Sequence, residues 1–357
     1  MLSQQDPFAE LMQTVFVLRP EVRFVPHREA NQTYFIVEDP LNSKYYRIGQ
    51  SEYELISLLN GERSLVEALQ TVQSHDSATK LNETSTQTIG RWLLQTELAT
   101  SKVDTATSRQ AFISKTLQQR SHWSRFNPIS IKIPFLRPDR FFERIAPSFS
   151  WLFSAPATVG WLCTVILALF TLSQQFESFS SQSTGILALD NWFWLGVSWV
   201  VLKVVHESAH GLACKRFGGT IREAGVILIL FAPLAYVDVT SSCRFRSRWH
   251  RIVTAGAGIY AELFVAAIAL LIWANSEPGL LKHVCHNIVT MASITTLLFN
   301  ANPLMRFDGY YILSDVLGIP NLYTNGQAFV HQLGRKYLLG LPAANVEPHG
   351  SHQVVIK

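Results

Sequence analysis

Residues 204–217, VVHESAHGLACKRF, hold His206, Glu207 and His210 in the order H-E-x-x-H. At ~100° per residue along a helix, positions 206 and 210 fall on nearly one face, a turn apart. Two imidazoles so placed can share one Zn²⁺. Glu207, beside them, can take a proton from a water activated there. Lys203 lies a turn earlier, so Lys203, His206, Glu207 and His210 make one polar stripe on an otherwise apolar run that begins at Trp192. In lipid each ionisable residue costs ~2.5–3.5 kcal/mol on insertion scales, so the stripe must face protein, metal or water.

Two imidazoles leave a metal short of a third protein ligand, and the order of apolar runs indicates where to look. We expect spans over 149–172, 192–213, 252–273 and 284–301. The segment 173–191 contains no Lys or Arg and is expected outside, whereas 214–251 carries seven and is expected in the cytosol. The second span then reaches the cytosolic side near His210, and two further crossings return the chain to that side at Asp308. Asn302 and Pro303 break the fourth span, and Asp308 with Gly309 makes a turn. Depth and side therefore allow Asp308 to supply the third ligand oxygen; a capping Asp is the plainer alternative.

The stretch GVILILFAPLAYV, residues 225–237, is apolar but too short to cross ~30 Å of hydrocarbon as a helix. It reads as a re-entrant hairpin or an edge strand over the site, able to present backbone groups to an extended peptide. Asp238 follows it as a further polar group. In the third span Gly256 and Gly258 allow close helix packing. Glu262, a carboxylate inside that span, can hydrogen-bond a ligand histidine or pair with Lys203. His283 and His286, at the outer end of the fourth span, read as interfacial.

Hydrophobic residues make up 48% of the 357 and charged residues only 16%, an average that conceals a split. Residues 1–147 are polar and mixed, and long apolar runs begin near Phe149. The expected fold is thus an α-helical polytopic membrane protein, about four spans plus a re-entrant segment, behind a small N-terminal α+β winged-helix-like domain. The divisions are 1–100 for that domain, 101–147 for a linker and membrane-surface segment, 148–320 for the membrane core and 321–357 for a polar tail. A net charge of +4 does not argue for nucleic acid. The four cysteines form no C-x-x-C pair, which excludes a cysteine zinc site. MLSQQDPFAE has no basic-then-apolar signal, so the N-terminal domain is expected in the cytosol and the protein in the inner (cytoplasmic) membrane.

Within the N-terminal domain, Thr33–Val37 and Lys44–Ile48 read as strands. Ser51 with Glu54, and Ser64 with Glu67, read as capping boxes of two helices, the first stopped at Asn60 and Gly61. A third helix is expected over Thr86–Leu98. The stretch YFIVEDPLNSKYYRIGQSEYELISLLNGERSL resembles the PqqD-like peptide-chaperone domain, which implies binding of an extended peptide by strand addition. SLVEALQTV has no Lys or Arg for phosphates, which disfavours DNA.

HESAH in a span, a short apolar segment after it and NPLMRFDGYY after a later span resemble the site-2-type intramembrane zinc metallopeptidases, in their bacterial subgroup with an N-terminal PqqD-like domain. The resemblance implies Zn²⁺ on His206, His210 and Asp308, Glu207 as catalytic base, and membrane-embedded or membrane-delivered peptides and membrane proteins as substrates. It also implies membrane-fusion and export components as partners, beside the lipid bilayer. The family often has Gly-Pro-x-x-Asn in the third span; here the stretch is GAGIYAELF, with Glu262 near the place of the Asn. Larger relatives of the subgroup continue with further spans. The alternative reading is a non-proteolytic membrane subunit of a peptide maturation or export system.

Overall fold

The structure, a computed structural model, describes residues 11–29, 32–40, 44–75, 81–101, 126–127, 130–186, 188–229, 232–319, 322–337 and 353–355. The chain forms two compact units, Met1–Arg125 with Pro320–Lys357, and Phe126–Ile319.

The first unit runs β1 (Val15–Leu18), β2 (Arg23–Glu29), β3 (Gln32–Asp39), β4 (Lys44–Gly49), α1 (Gln50–Ser57), β5 (Asn60–Ser64), α2 (Leu65–His75), α3 (Glu83–Gln95) and β6 (Ala99–Ser101). The two expected strands are present as β3 and β4, antiparallel with Phe35 opposite Ile48. β2 pairs with the other side of β3, and β1 lies between β5 and β6 in a second sheet. β1 was not foreseen because four apolar residues suit a strand or a buried helix equally. Phe16, Ile48, Leu55, Leu65 and Ile89 are wholly buried in one core, each worth ~1.5–3 kcal/mol of transfer energy.

Of the two expected capping boxes, one forms. The Ser64 amide donates to Glu67 Oε2 at 2.8 Å and the Glu67 amide to Ser64 Oγ at 3.4 Å. The Ser51 box does not form: α1 starts at Gln50, with Gly49 as its N-cap, and Gln50 holds Glu54 through Nε2 at 3.0 Å. Gly61, the second residue of β5, takes φ +87°, a conformation that favours glycine. The third helix is there, shifted to Glu83–Gln95 by the Asn82 side chain, which accepts from the Ser85 amide at 2.7 Å.

The second unit holds β7 (Phe126–Asn127), β8 (Ser130–Leu136), α4 (Asp139–Phe149), α5 (Ala155–Gln174), α6 (Phe176–Ser183), α7 (Trp192–Arg216), β9 (Ala224–Ile229), β10 (Ala232–Val237), α8 (Arg248–Asn275), α9 (Leu280–Ser293) and α10 (Asp308–Leu317). The chain then returns to the first unit as α11 (Leu322–Tyr337) and β11 (Gln353–Val355), which pairs antiparallel with β4.

Helices dominate the second unit. Among the described residues two helices, α5 and α8, are long and apolar enough to cross a membrane, where four spans were expected. α7 has 25 residues, but its ionisable side chains dilute its apolarity. α9 has 14, after which the winding widens into a π-helix over Ile294–Asn300. The first expected span begins later than Phe149, because Ser154 caps α5 and Pro156 occupies its first turn.

The hairpin expected at 225–237 is β9 and β10, which pair with Ala224 opposite Val237. β8, placed by sequence in the linker, is instead the third strand of this sheet, with Ile133 opposite Val226. Gly225 is required there: a Cβ would lie 2.1 Å from the Ile133 carbonyl oxygen. The order β10-β9-β8-β7 leaves β10 at the edge.

α7 is turned against the rule for water-soluble helices. Val197, Val200, Val201 and Val204 are exposed, while Lys203, His206 and His210 on the other face are buried. Gly211 admits the Phe142 ring of α4, since a Cβ there would stand 2.8 Å from that ring. α10 is tied to α8 by Arg251 Nε, 2.8 Å from Asp315 Oδ1.

Candidate metal centre

The buried face of α7 delivers His206 and His210 one turn apart, and α10 begins at Asp308. Gly309 lets α10 start there, because a Cβ at that position would lie 2.4 Å from the Ala301 carbonyl oxygen. The three side chains predicted as ligands meet. His206 Nε2 is 3.0 Å from Asp308 Oδ2, His210 Nε2 is 3.3 Å from the same oxygen, and the two Nε2 atoms are 3.0 Å apart.

The outer nitrogens fix what these atoms are. His210 Nδ1 lies 2.7 Å from the Thr254 carbonyl oxygen, which only accepts, so Nδ1 carries a proton and, in the neutral ring, Nε2 a lone pair. His206 Nδ1 lies 3.4 Å from Glu262 Oε2 and 3.5 Å from the Asn300 amide nitrogen; a proton on Nδ1 serves the carboxylate and, in the neutral ring, leaves Nε2 its lone pair. Asp308 Oδ2 is buried and receives no hydrogen bond among the described residues. With both rings neutral, three lone-pair atoms converge, an arrangement that repels unless a cation or a proton lies at its centre.

Size agrees with charge. Ligand atoms of a tetrahedral ion with bonds of ~2.0–2.1 Å stand ~3.3 Å apart. The three edges observed are 3.0, 3.0 and 3.3 Å. Gly258 of α8 faces the same point: a Cβ on it would lie 2.4 Å from His206 Nε2 and 2.5 Å from His210 Nε2. The residues present fit one small divalent ion, and only glycine at 258 leaves room for it.

Glu207, next on the helix, is held by the edge strand. The Val237 amide of β10 donates to Glu207 Oε2 at 2.8 Å, leaving the second carboxylate oxygen for other work. That bond also orients the strand. Val237 turns its amide away from β9, and the Asp238 amide points back to the Glu223 carbonyl at 2.9 Å. Alternate residues share a direction, so Ala235 and Pro233 face the open edge with Val237. Pro233, with no N–H, is tolerated there for that reason.

Both readings of Glu262 hold together. It pairs with Lys203 Nζ at 3.0 Å and also contacts His206. The other candidates lie elsewhere. Asp238 caps the turn after β10, accepting from the Thr240 amide at 3.0 Å. His283 meets Asn191 Oδ1 at 2.7 Å and His286 meets the Ser183 hydroxyl at 3.2 Å, neither near the three ligands. Sequence reasoning missed Thr254, Val237 and Thr296. The first two act through backbone atoms, which residue type does not reveal. It saw in Gly258 a packing residue rather than the floor of the site.

No known protein family and no solved structure matches the chain. A stretch of 81 residues, 22% of the chain, is 36% identical to part of an uncharacterized protein of Methanocaldococcus jannaschii, and it covers 22% of that protein. The chain thus matches about a fifth of that relative's length, and the likeness brings no function with it.

Proposed function

We propose that the chain is a zinc-dependent intramembrane endopeptidase, a multi-pass protein of the inner membrane with its N-terminal unit in the cytosol. The observation that carries this reading is the convergence of His206 Nε2, His210 Nε2 and Asp308 Oδ2 within 3.3 Å of one another, with Glu207 next along the same helix. The resemblance of HESAH and NPLMRFDGYY to the site-2-type peptidases supports it. So does the outward apolar face of α7, together with exposed Ile166, Leu169 and Phe170 on α5, which favour lipid over water.

When bound, zinc supplies Lewis acidity, polarising a carbonyl oxygen and making water easier to deprotonate. His206, His210 and Asp308 would hold it. Glu207 takes a proton from the attacking water as its oxygen bonds to the carbonyl carbon. The C–N bond then breaks, and Glu207 passes that proton to the leaving amine, which restores the carboxylate. The β10 edge aligns the substrate: an extended peptide pairs with the Ala235 amide and carbonyl, and the Val237 end brings it to Glu207.

The first unit is read as a peptide-binding domain that works by strand addition. Its β4 edge accepts the segment Gln353–Val355 as an antiparallel strand, which is the contact such binding requires. Substrates are membrane-embedded or membrane-delivered peptides, and the partners those of peptide maturation and export.

The test is cleavage of a transmembrane peptide by the purified chain in detergent or liposomes. Wild type should cleave it, and Glu207→Gln should not, while keeping its zinc. Hydrolysis by Glu207→Gln at the wild-type rate would overturn the mechanism. Zinc bound by wild type with no turnover would favour the non-proteolytic subunit.

A further inference from the structure

Glu262 lies fully buried inside α8, and the peptidase chemistry above does not use it. Four groups converge on its carboxylate. Lys203 Nζ stands 3.0 Å from Oε1. The Thr296 hydroxyl and the Asn300 amide donate to Oε2, the latter at 3.2 Å, and His206 Nδ1 lies 3.4 Å from that same oxygen. An ionised carboxylate only accepts and offers ~four lone-pair positions, which suits four donors. An amide at 262, as in the family's Asn, has one accepting oxygen and could not serve the same set.

We propose that Glu262 and Lys203 are a positioning pair for the metal centre. Glu262, steadied by Lys203, Thr296 and Asn300, accepts the Nδ1–H of His206 and so aims the Nε2 lone pair at the ion. Lys203 balances the carboxylate, so His206 gains an acceptor while the centre gains no net charge: zinc with Asp308 and Glu207 sums to zero, and so does the pair. This inference rests on the metal reading above. It differs from a helix clamp, in which the same contact would only join α7 to α8.

The experiment uses the full chain in detergent, with Co²⁺ as the probe metal. Affinity is read by chelator competition, geometry by the visible d–d bands, and folding by circular dichroism. Glu262→Gln should weaken Co²⁺ binding roughly 10–100-fold and change the bands, as expected when a ligand histidine loses its carboxylate partner. Lys203→Met should do likewise by stranding the carboxylate. The double variant Lys203→Met/Glu262→Gln buries no charge, and so remains informative should a single variant misfold. It should bind no worse than Glu262→Gln alone, because Lys203 acts through Glu262. Wild-type affinity and bands in Glu262→Gln or in the double variant would overturn the pair while leaving the metal centre standing. A wild-type chain that takes up no Co²⁺ would overturn the metal reading and this inference with it.

Discussion

His206 Nε2 and His210 Nε2 face each other at 3.0 Å, with Nδ1 of the first beside Glu262 and Nδ1 of the second on the Thr254 carbonyl. Imidazoles separated by one helical turn need not do this. They do so here because α8 grips each from behind, and because Gly258 on that helix presents no side chain between them.

Gly258 should therefore be intolerant of even one methyl group. In Gly258→Ala the Cβ would fall 2.4–2.5 Å from both Nε2 atoms. Relieving such overpacking costs ~1–3 kcal/mol, which predicts a metal affinity lowered roughly 10–100-fold. Titration with Zn²⁺ against a chelator measures it, with circular dichroism as the check on folding. Unchanged affinity in a folded Gly258→Ala variant would show that the ion sits elsewhere.

The open edge of β10 makes a prediction about substrate. Ala235 turns its amide away from β9, so Ala235→Pro removes a donor to the substrate while sparing the hairpin. One main-chain hydrogen bond is worth ~1 kcal/mol, so kcat/KM should fall roughly five-fold with zinc content unchanged. Tyr236→Pro, facing β9, should instead disrupt the sheet. Equal behaviour of the two variants would contradict the assigned strand direction.

Much of this site could be read before the fold was known. Helical periodicity alone puts His206 and His210 on one face, and the turn signals at Asp308 and Gly309 mark the third group that the structure brings to them. What could not be read depends on partners distant in sequence. The alternation in ISIKI suits a strand, but Pro134 and the basic, proline-containing run after it look like linker until β9 lies beside it. The Ser51 box failed because Gly49, two residues earlier, was equally able to open α1. Which face of α8 meets α7 decides between packing and chemistry for Gly258, and the even apolarity of that helix hides the answer.

Helix α4 offers a pH test away from the two long apolar helices. Burial alone would raise the Asp139 carboxyl, but Lys215 Nζ at 2.6 Å and the Ile221 amide at 2.7 Å outweigh it and hold Asp139 below the ordinary carboxylate range. A depressed carboxylate stabilises the fold above its unfolded pKa of ~3.9, and that contribution is lost as pH falls through its folded value. Wild type should therefore lose stability below about pH 4 more steeply than Asp139→Asn. Thermal unfolding in detergent between about pH 3 and 6 compares them, and parallel profiles would show that the contact is not formed.

The central claim is that one ion is held jointly by α7 and the start of α10, and X-ray absorption at the zinc edge tests it most directly. The purified chain should carry one zinc, with two imidazole nitrogens and oxygen ligands at ~2.0–2.2 Å. Asp308→Asn should lose an oxygen ligand, and His210→Ala should lose an imidazole together with most of the metal. A chain that purifies without zinc and takes none up, or a zinc spectrum with fewer than two imidazoles that is unmoved by either substitution, would contradict it.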